Sequence, residues 1–412
     1  MLEGIFNKID LPCFIYDLQK VRGQVSKLKN SNLDNLTIFY AMKANPLPEI
    51  LRVLKEQNLG VETTSRGEME RALLTGFEPE EMLVTGPGKI DSTLNYAISN
   101  GVGHIIVESV NEARRLNRLA KDYKTKQPIL VRVSPTNAVR GEDLKEGFAL
   151  FGGKPVKYGI DEENLEEKLL EIMNLSNLNF EGFHVFAASG ISDHRLLISH
   201  VDEIFNLIKN LEKYFPKLKV IDFGGGFGYS HDDTYEFDIN SYFSSLNDLT
   251  QNYNFGEKKL FLELGTYIAA SCGTYLTEIV DVKKSRGENF LIVNGGIHHL
   301  LRPSLVSNHS VQIYDSSGEL IHESEDSEVN IVGNLCHPLD TLSRDVKIPL
   351  GIEKLENLIG GKVAIFNCGA YGANFSVGNF GLNPESKIYY LDDKGNLGLS
   401  NSDSIINGGR YK

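Results

Sequence analysis

Residues 36–46 read LTIFYAMKANP. Six residues rich in β-branched and aromatic side chains, Leu36 to Ala41, give way to lysine, asparagine and proline, the composition of a strand running into a turn. Lys43 therefore stands at the carboxyl end of a strand built from core residues. A lysine adds little to a core, but surroundings of low dielectric disfavour its ammonium form and make the neutral amine available for imine formation. Alone, the same pattern also describes a snorkelling surface cation. Its company decides.

Outward from this stretch, strand-like runs recur at 36–41, 59–63, 82–85, 104–107, 129–133, 179–186, 219–223 and 260–263. Between most of them lie helix-like segments, at 46–57, 67–76, 91–100, 111–123, 162–174, 193–214 and 239–251, with apolar residues three and four apart and several opened by Pro, Asp or Asn. Eight strands with crossover helices predict a (β/α)8 TIM barrel. A doubly wound open sheet needs fewer strands, and its glycine fingerprint is missing after the first one. Beyond Gly265 the texture changes. Runs at 275–283, 290–293, 311–314, 329–332, 362–367 and 387–391 read as strands separated by Gly, Asn, Asp and Ser turns, a β-sandwich or β-barrel-like second domain. The strand-like run Cys13–Tyr16 is expected to pair with it. The expected organisation is a barrel over 22–270, a β domain from 1–21 plus 271–400, and a tail at 401–412. Residues 323–328 (ESEDSE) read as a solvated acidic loop.

Composition narrows the function. With 412 residues, 41% hydrophobic and 24% charged, the chain suits a large α/β domain plus a smaller one. A net charge of −13 argues against a nucleic-acid or anionic-membrane partner. No run of about eighteen apolar residues suggests a membrane span. The start of the chain lacks a cationic then apolar export pattern, which favours the cytoplasm. Cys13, Cys272, Cys336 and Cys368 form no C-x-x-C pair, so free thiols and no metal site are expected.

Chemistry collects at the strand ends. Lys43 follows the first strand, Glu62 and Ser65 close the second, Gly86 and Gly88 follow the third and Glu108 the fourth. Arg132 is in the fifth, His184 and Ser189 end the sixth, Gly224, Gly225 and Gly226 follow the seventh, and Glu263 ends the eighth. In a parallel barrel these ends share the face where active sites form. Consecutive glycines after a seventh strand can turn backbone N–H groups toward a phosphate, although a bare cluster also describes a flexible turn. A lysine amine, a phosphate site and an opposing carboxylate together describe a pyridoxal 5'-phosphate site. Glu263 would then hydrogen-bond the pyridine nitrogen and keep it protonated.

The motifs YAMKAN at 40–45, GVETTSRGE at 60–68, TGPGK at 85–89, GFHVFAASG at 182–190, DFGGGFG at 222–228, ELGTYIAASCG at 263–273, GNLCHPLDTLSRD at 333–345 and CGAYGANFS at 368–376 occur in fixed order along the chain. In these it resembles the fold-type III pyridoxal-phosphate decarboxylases, the ornithine/diaminopimelate/arginine decarboxylase family, over nearly its whole length. The resemblance implies an alanine-racemase-like barrel, a carboxyl-terminal β domain, and a homodimer whose subunits share active sites. It implies that Lys43 bonds the cofactor aldehyde, Glu62, Arg132 and His184 lie near the cofactor, and Ser189 with Gly224 to Gly226 and Tyr371 holds phosphate. Cys336 would enter from the partner subunit and protonate the product, aided by Asp340 or His337.

Some positions depart from the family pattern. Glu263-Leu264-Gly265-Thr266 stands where E-x-G-R is common, which puts phosphate binding in question. Phe186 replaces a histidine that stacks on the cofactor ring in many members, and His337 replaces an acid after the cysteine. Phe186 and GGIHHLL at 295–301 resemble a divergent branch of natural-product and siderophore-pathway decarboxylases. The adjacent His298 and His299 lack the spacing of a metal site, and Arg302 reads either as a substrate-carboxylate cation or as a loop cation. The expected reaction is decarboxylation of an amino acid or amino-acid-derived intermediate, free or carrier-bound. A racemase and a non-catalytic relative are the rivals; a metal-dependent hydrolase lacks the strand-end His and Asp cluster.

Overall fold

In the computed structural model, the described residues are 2, 4–31, 33–136, 149–150 (backbone only), 153–186, 188–212, 214–215, 217–306, 309–322 and 325–400. They form two compact units. One comprises Arg22–Tyr229 with Glu236–Ile268; the other takes the residues up to Val21, Ser230–Tyr235 and those from Ala269 onward. The sequence reading places residues 230–235 inside the barrel, whereas the structure gathers them with the β unit. The expected tail at 401–412 and residues 323–324 of the acidic loop lie outside the described residues.

The first unit is a closed parallel barrel. Its strands are Leu36–Ala41, Gly60–Thr63, Met82–Val84, His104–Val107, Gln127–Ser134, Leu178–Val185, Val220–Gly225 and Lys259–Leu264. Each pairs in parallel with the next, and the eighth returns to the first, with Leu260 opposite Leu36 and Leu264 opposite Tyr40. Phe39, Leu83, Ile106, Leu130, Val220 and Phe261 meet in one buried cluster, so the interior is packed rather than open. The Phe39 and Phe261 rings lie 4.8 Å apart, which places the first and eighth strands in direct side-chain contact.

Local rules set the outer helices. Ser109 caps the helix Val110–Asp122 by accepting from the Glu112 amide at 3.1 Å, and Ala113, Leu116 and Ala120 bury one face at three- and four-residue spacing. Ser65 caps Arg66–Leu74 and Asp238 caps Ile239–Asn252 in the same way. Glu112 also meets Lys89, the last residue of TGPGK, at 2.8 Å, with both side chains buried. The Lys89 ammonium donates further to the carbonyls of Gly86 and Ile106 at 2.6 and 2.8 Å, and so ties the turn after the third strand to the fourth. Replacing Lys89 by methionine keeps the volume but strands the Glu112 carboxylate in the interior. Urea unfolding of K89M is expected to show a loss of about 3–5 kcal/mol. A change below about 1 kcal/mol would mean the pair is dispensable.

The second unit carries a nine-stranded sheet organised on the long strand Gly273–Ser285. Its first half pairs antiparallel with Cys13–Asp17 and with Lys362–Ile365, and its second half, beyond a bulge after Ile279, with Glu288–Val293. Changing partners midway lets one strand join two parts of the sheet. Cys13–Asp17 lies between Gly273–Ser285 and Lys387–Leu391, so the start of the chain does pair with the β domain. Cys13, Ile15, Leu276, Ala364 and Leu391 share its core. Two strands escape the sequence reading, Thr341–Ile348 and Leu397–Leu399, and Ser327–Glu328 begins the strand Ser327–Val332 instead of closing an acidic loop. Among the described residues no helix is long and apolar enough to cross a membrane.

Candidate active site

The strand ends of the barrel bring together the residues that the sequence singles out. The turn Met42–Ala44 leaves the first strand and projects the Lys43 amine to the Glu62 carboxylate, with distances of 2.7 and 2.9 Å to its two oxygens. The Lys43 side chain is 42% exposed and that of Glu62 only 1%. Burial is thus not what readies Lys43; a buried carboxylate is its partner. Burial pushes the Glu62 carboxyl up to about 7, against the attraction of Lys43 and with added repulsion from Glu263. Glu62 can therefore exchange a proton beside this amine near neutral pH.

On the adjacent eighth strand, Glu263 lies buried near the carboxyl end. Burial alone would raise its carboxyl, but His184, Lys43 and Arg132 outweigh that and hold it low, as an anion. His184 approaches it at 3.5 Å and, being buried, is held toward the neutral ring. Arg132 is fixed by Glu108 at 3.2 Å, by the Phe186 carbonyl at 3.5 Å and by the Tyr158 ring at 4.6 Å. Glu108 also accepts from the Gly159 amide at 2.7 Å, which anchors that loop to the arginine. Oε1 of Glu263 has no hydrogen-bond partner although it is buried. An unfilled acceptor at this depth calls for an N–H donor.

The three glycines of DFGGGFG have separate reasons. Gly224 and Gly226 take positive φ, +65° and +93°. A Cβ on Gly224 would press into the Phe186 ring, which rests against this turn. The Gly224 amide is already donated to Asp222 Oδ1 at 3.0 Å, so the phosphate reading falls on Gly225 and Gly226. A Cβ on Gly225 would overlap the Glu263 carbonyl. Gly225→Ala is therefore expected to force the seventh and eighth strands apart at Glu263, lowering stability by about 1–3 kcal/mol and weakening cofactor binding. Thermal melts with and without cofactor check both; an unchanged response to cofactor would contradict the close-approach argument. Ser189 lies in the two-residue strand Ala188–Ser189, paired with Ala149–Leu150. A Cβ on Gly265 would come 2.9 Å from that of Ala44, so this glycine lets the eighth strand close against the Lys43 turn.

The remaining candidates lie in the β unit. Cys336 is exposed with a free thiol, and the adjacent His337 is exposed. Asp340 is buried, and both its oxygens are taken by backbone amides, Oδ1 from Ile297 and Oδ2 from Leu335, each at 2.7 Å. Its partners thus make it an organiser of the loop carrying Cys336. Arg302 lies 5.4 Å over the Tyr371 ring and 3.5 Å from His231, with its Nε buried and unpartnered. His299 is held by the Tyr275 hydroxyl and the Pro384 carbonyl at 3.0 and 2.8 Å, consistent with an ordinary structural histidine. The sequence reading assigns no role to Asp222, although it opens DFGGGFG. Its carboxylate, beside Glu263 and His184, was hidden by the glycines that follow. Tyr158 carries no motif at all.

Residues 18–270 match the family model described as pyridoxal-dependent decarboxylase, pyridoxal binding domain. The chain is 31% identical over 388 residues to the 2-[(L-alanin-3-ylcarbamoyl)methyl]-2-hydroxybutanedioate decarboxylase of Staphylococcus aureus, across 92% of this chain and 93% of that one. It is 28% identical over 394 residues to the L-glutamyl-[BtrI acyl-carrier protein] decarboxylase of Niallia circulans, across 92% and 88%. Among solved structures, diaminopimelate decarboxylase from Helicobacter pylori complexed with L-lysine matches with a TM-score of 0.84 at 26% identity, covering 97% of this chain and 95% of that one.

Proposed function

Since this chain belongs to the pyridoxal-dependent decarboxylases, a family of the (β/α)8 fold described above, we propose which of its residues run the reaction and what substrate it takes. It is a pyridoxal-phosphate-dependent decarboxylase of an amino acid or amino-acid derivative, releasing carbon dioxide and an amine. The observation that carries the residue assignment is the buried, unpartnered Oε1 of Glu263 in the same strand-end cluster as the Lys43 amine. That pairing fits a ring that needs a carboxylate at its nitrogen and an amine at its aldehyde.

Lys43 anchors the cofactor, Glu263 takes the pyridine N–H, and Ser189, Gly225, Gly226 and Tyr371 hold the phosphate. Bound pyridoxal phosphate supplies the electron sink for charge left when the Cα–carboxylate bond breaks. Glu62 positions Lys43 and exchanges protons with its amine. Arg132 favours the Glu263 anion, with His184 beside it, and Phe186 offers an apolar ring face at the cofactor without a proton of its own. Cys336, presented by a second subunit on the loop that Asp340 organises, returns a proton to Cα, with His337 beside it. The exposed Phe375, Val377, Phe380 and Leu382 support an interface with a second copy. Four free thiols suit a cytoplasmic protein.

The substrate is proposed to be an L-amino acid head joined to a carboxylate-bearing distal part, with Arg302 as the cation for a distal carboxylate. The 31% identity to a relative acting on a conjugate of this kind supports that choice, as does the unpartnered Arg302 Nε. The test supplies the purified protein with pyridoxal phosphate and an L-2,3-diaminopropionate amide of a hydroxytricarboxylic acid, a carrier-bound glutamyl thioester, diaminopimelate, ornithine or arginine. Carbon dioxide release is measured. Preference for the first compound is expected. Preference for the carrier-bound or free diamino substrates would overturn the substrate assignment, and loss of chirality without carbon dioxide would point to a racemase.

A further inference from the structure

The barrel end holds a further buried carboxyl group, Asp222, that the reaction assignments leave unused. Asp222 is fully buried in the seventh strand. One nitrogen of His184 and one oxygen each of Asp222 and Glu263 all lie within 4.8 Å of one another. Gly224 N–H satisfies Asp222 Oδ1 at 3.0 Å, yet Oδ2 has no partner, and neither has Oε1 of Glu263. The two side chains are nevertheless in hydrogen-bonding contact. Two carboxylates are both acceptors and cannot bond to each other, whereas one proton turns the pair into a donor and an acceptor.

We propose that Asp222 is a positioning residue that keeps a proton on Oδ2 and donates it to the Glu263 carboxylate, fixing the orientation of Glu263 toward the cofactor ring. The surroundings say which partner holds the proton. Glu263 faces His184, Lys43 and Arg132, which favour its anion. Asp222 faces one backbone N–H, the His184 ring, which burial holds toward its neutral form, and two carboxylates, Glu263 from the eighth strand and Glu62 from the second. Burial, then the Glu263 charge, push the Asp222 carboxyl well above its ordinary value. An ionised Asp222 would add an anion to a site already holding Glu62, Glu108 and Glu263 against Lys43 and Arg132. A protonated one removes that repulsion and gives the unpartnered Oδ2 an acceptor. The positioning role rests on Glu263 being the partner of the pyridine nitrogen; the proton itself does not.

Infrared difference spectra of the cofactor-free full chain test the proton directly. The carbonyl band of a buried carboxylic acid is expected to persist from about pH 6 to about pH 8, where a solvated aspartate is ionised. It should be missing in D222N and shifted in E263Q, whose amide changes the hydrogen bond. No such band, or a band that E263Q leaves unmoved, would overturn the proposal. Cofactor binding tests the positioning. An asparagine donates an N–H where the acid donates its proton, so D222N is expected to retain most of the pyridoxal phosphate affinity that D222A loses by about tenfold. Equal loss in D222N and D222A would also overturn it, because the ionised form would then be the one required. If the wild-type protein fails to bind pyridoxal phosphate, the residue assignments fall while the infrared result still decides the proton.

Discussion

Replacing Lys43 by alanine is expected to abolish the visible absorption of the cofactor-loaded protein and to lower carbon dioxide release by at least on the order of 10³-fold. The expectation follows from placement. The Lys43 amine is the one that the turn after the first strand brings to the buried Glu62 carboxylate, and its half-exposed side chain leaves a path to cofactor and substrate. On the proposed assignment, alanine removes the covalent anchor. It should not remove the fold, because the turn residues that pack inward are Met42 and Ala44. The K43A protein should therefore melt close to wild type without cofactor and bind pyridoxal phosphate weakly, through the phosphate and Glu263 contacts alone. A visible band and turnover near wild type would reassign the anchor to another lysine.

Glu263→Gln is the second large effect. His184, Lys43 and Arg132 lower the Glu263 carboxyl toward its anion, and on the proposed assignment its charge at the pyridine nitrogen would keep the ring an effective electron sink. Glutamine preserves shape and hydrogen-bonding capacity but not charge. A fall in kcat of about 10²–10³-fold is expected with KM little changed, because the interaction grows as charge develops in the transition state. The same substitution relieves the repulsion that Glu263 exerts on Glu62, so the Glu62 carboxyl should titrate lower in E263Q. An unchanged kcat would show that the ring nitrogen has no partner at this position.

The barrel was readable because its strands are short apolar runs punctuated by turn residues, and the chemistry-bearing residues repeat at their carboxyl ends. Lys43, Glu62 and Glu263 could each be placed on one face before any distance was known. Other features depend on partners distant in sequence. Thr341–Ile348 carries Arg344, Asp345 and Lys347, so its apolar alternation is weak, and its pairing with Ser327–Val332 makes it a strand. Residues 230–235 fall between the seventh strand and the next helix-like segment, and nothing local links His231 to the Asn367 carbonyl that it meets at 3.0 Å. Asp340 is expected by resemblance to aid Cys336, but nothing local shows that its oxygens accept from the amides of Ile297 and Leu335. The upward shift of Asp222 comes from its burial and then from carboxylates on two other strands, which no local pattern encodes.

The most direct test of the central claim is borohydride reduction of the pyridoxal-phosphate-loaded protein followed by peptide mass mapping. The account predicts one pyridoxyl-modified peptide, carrying the group on Lys43. Modification of a different lysine, or of none, would contradict it.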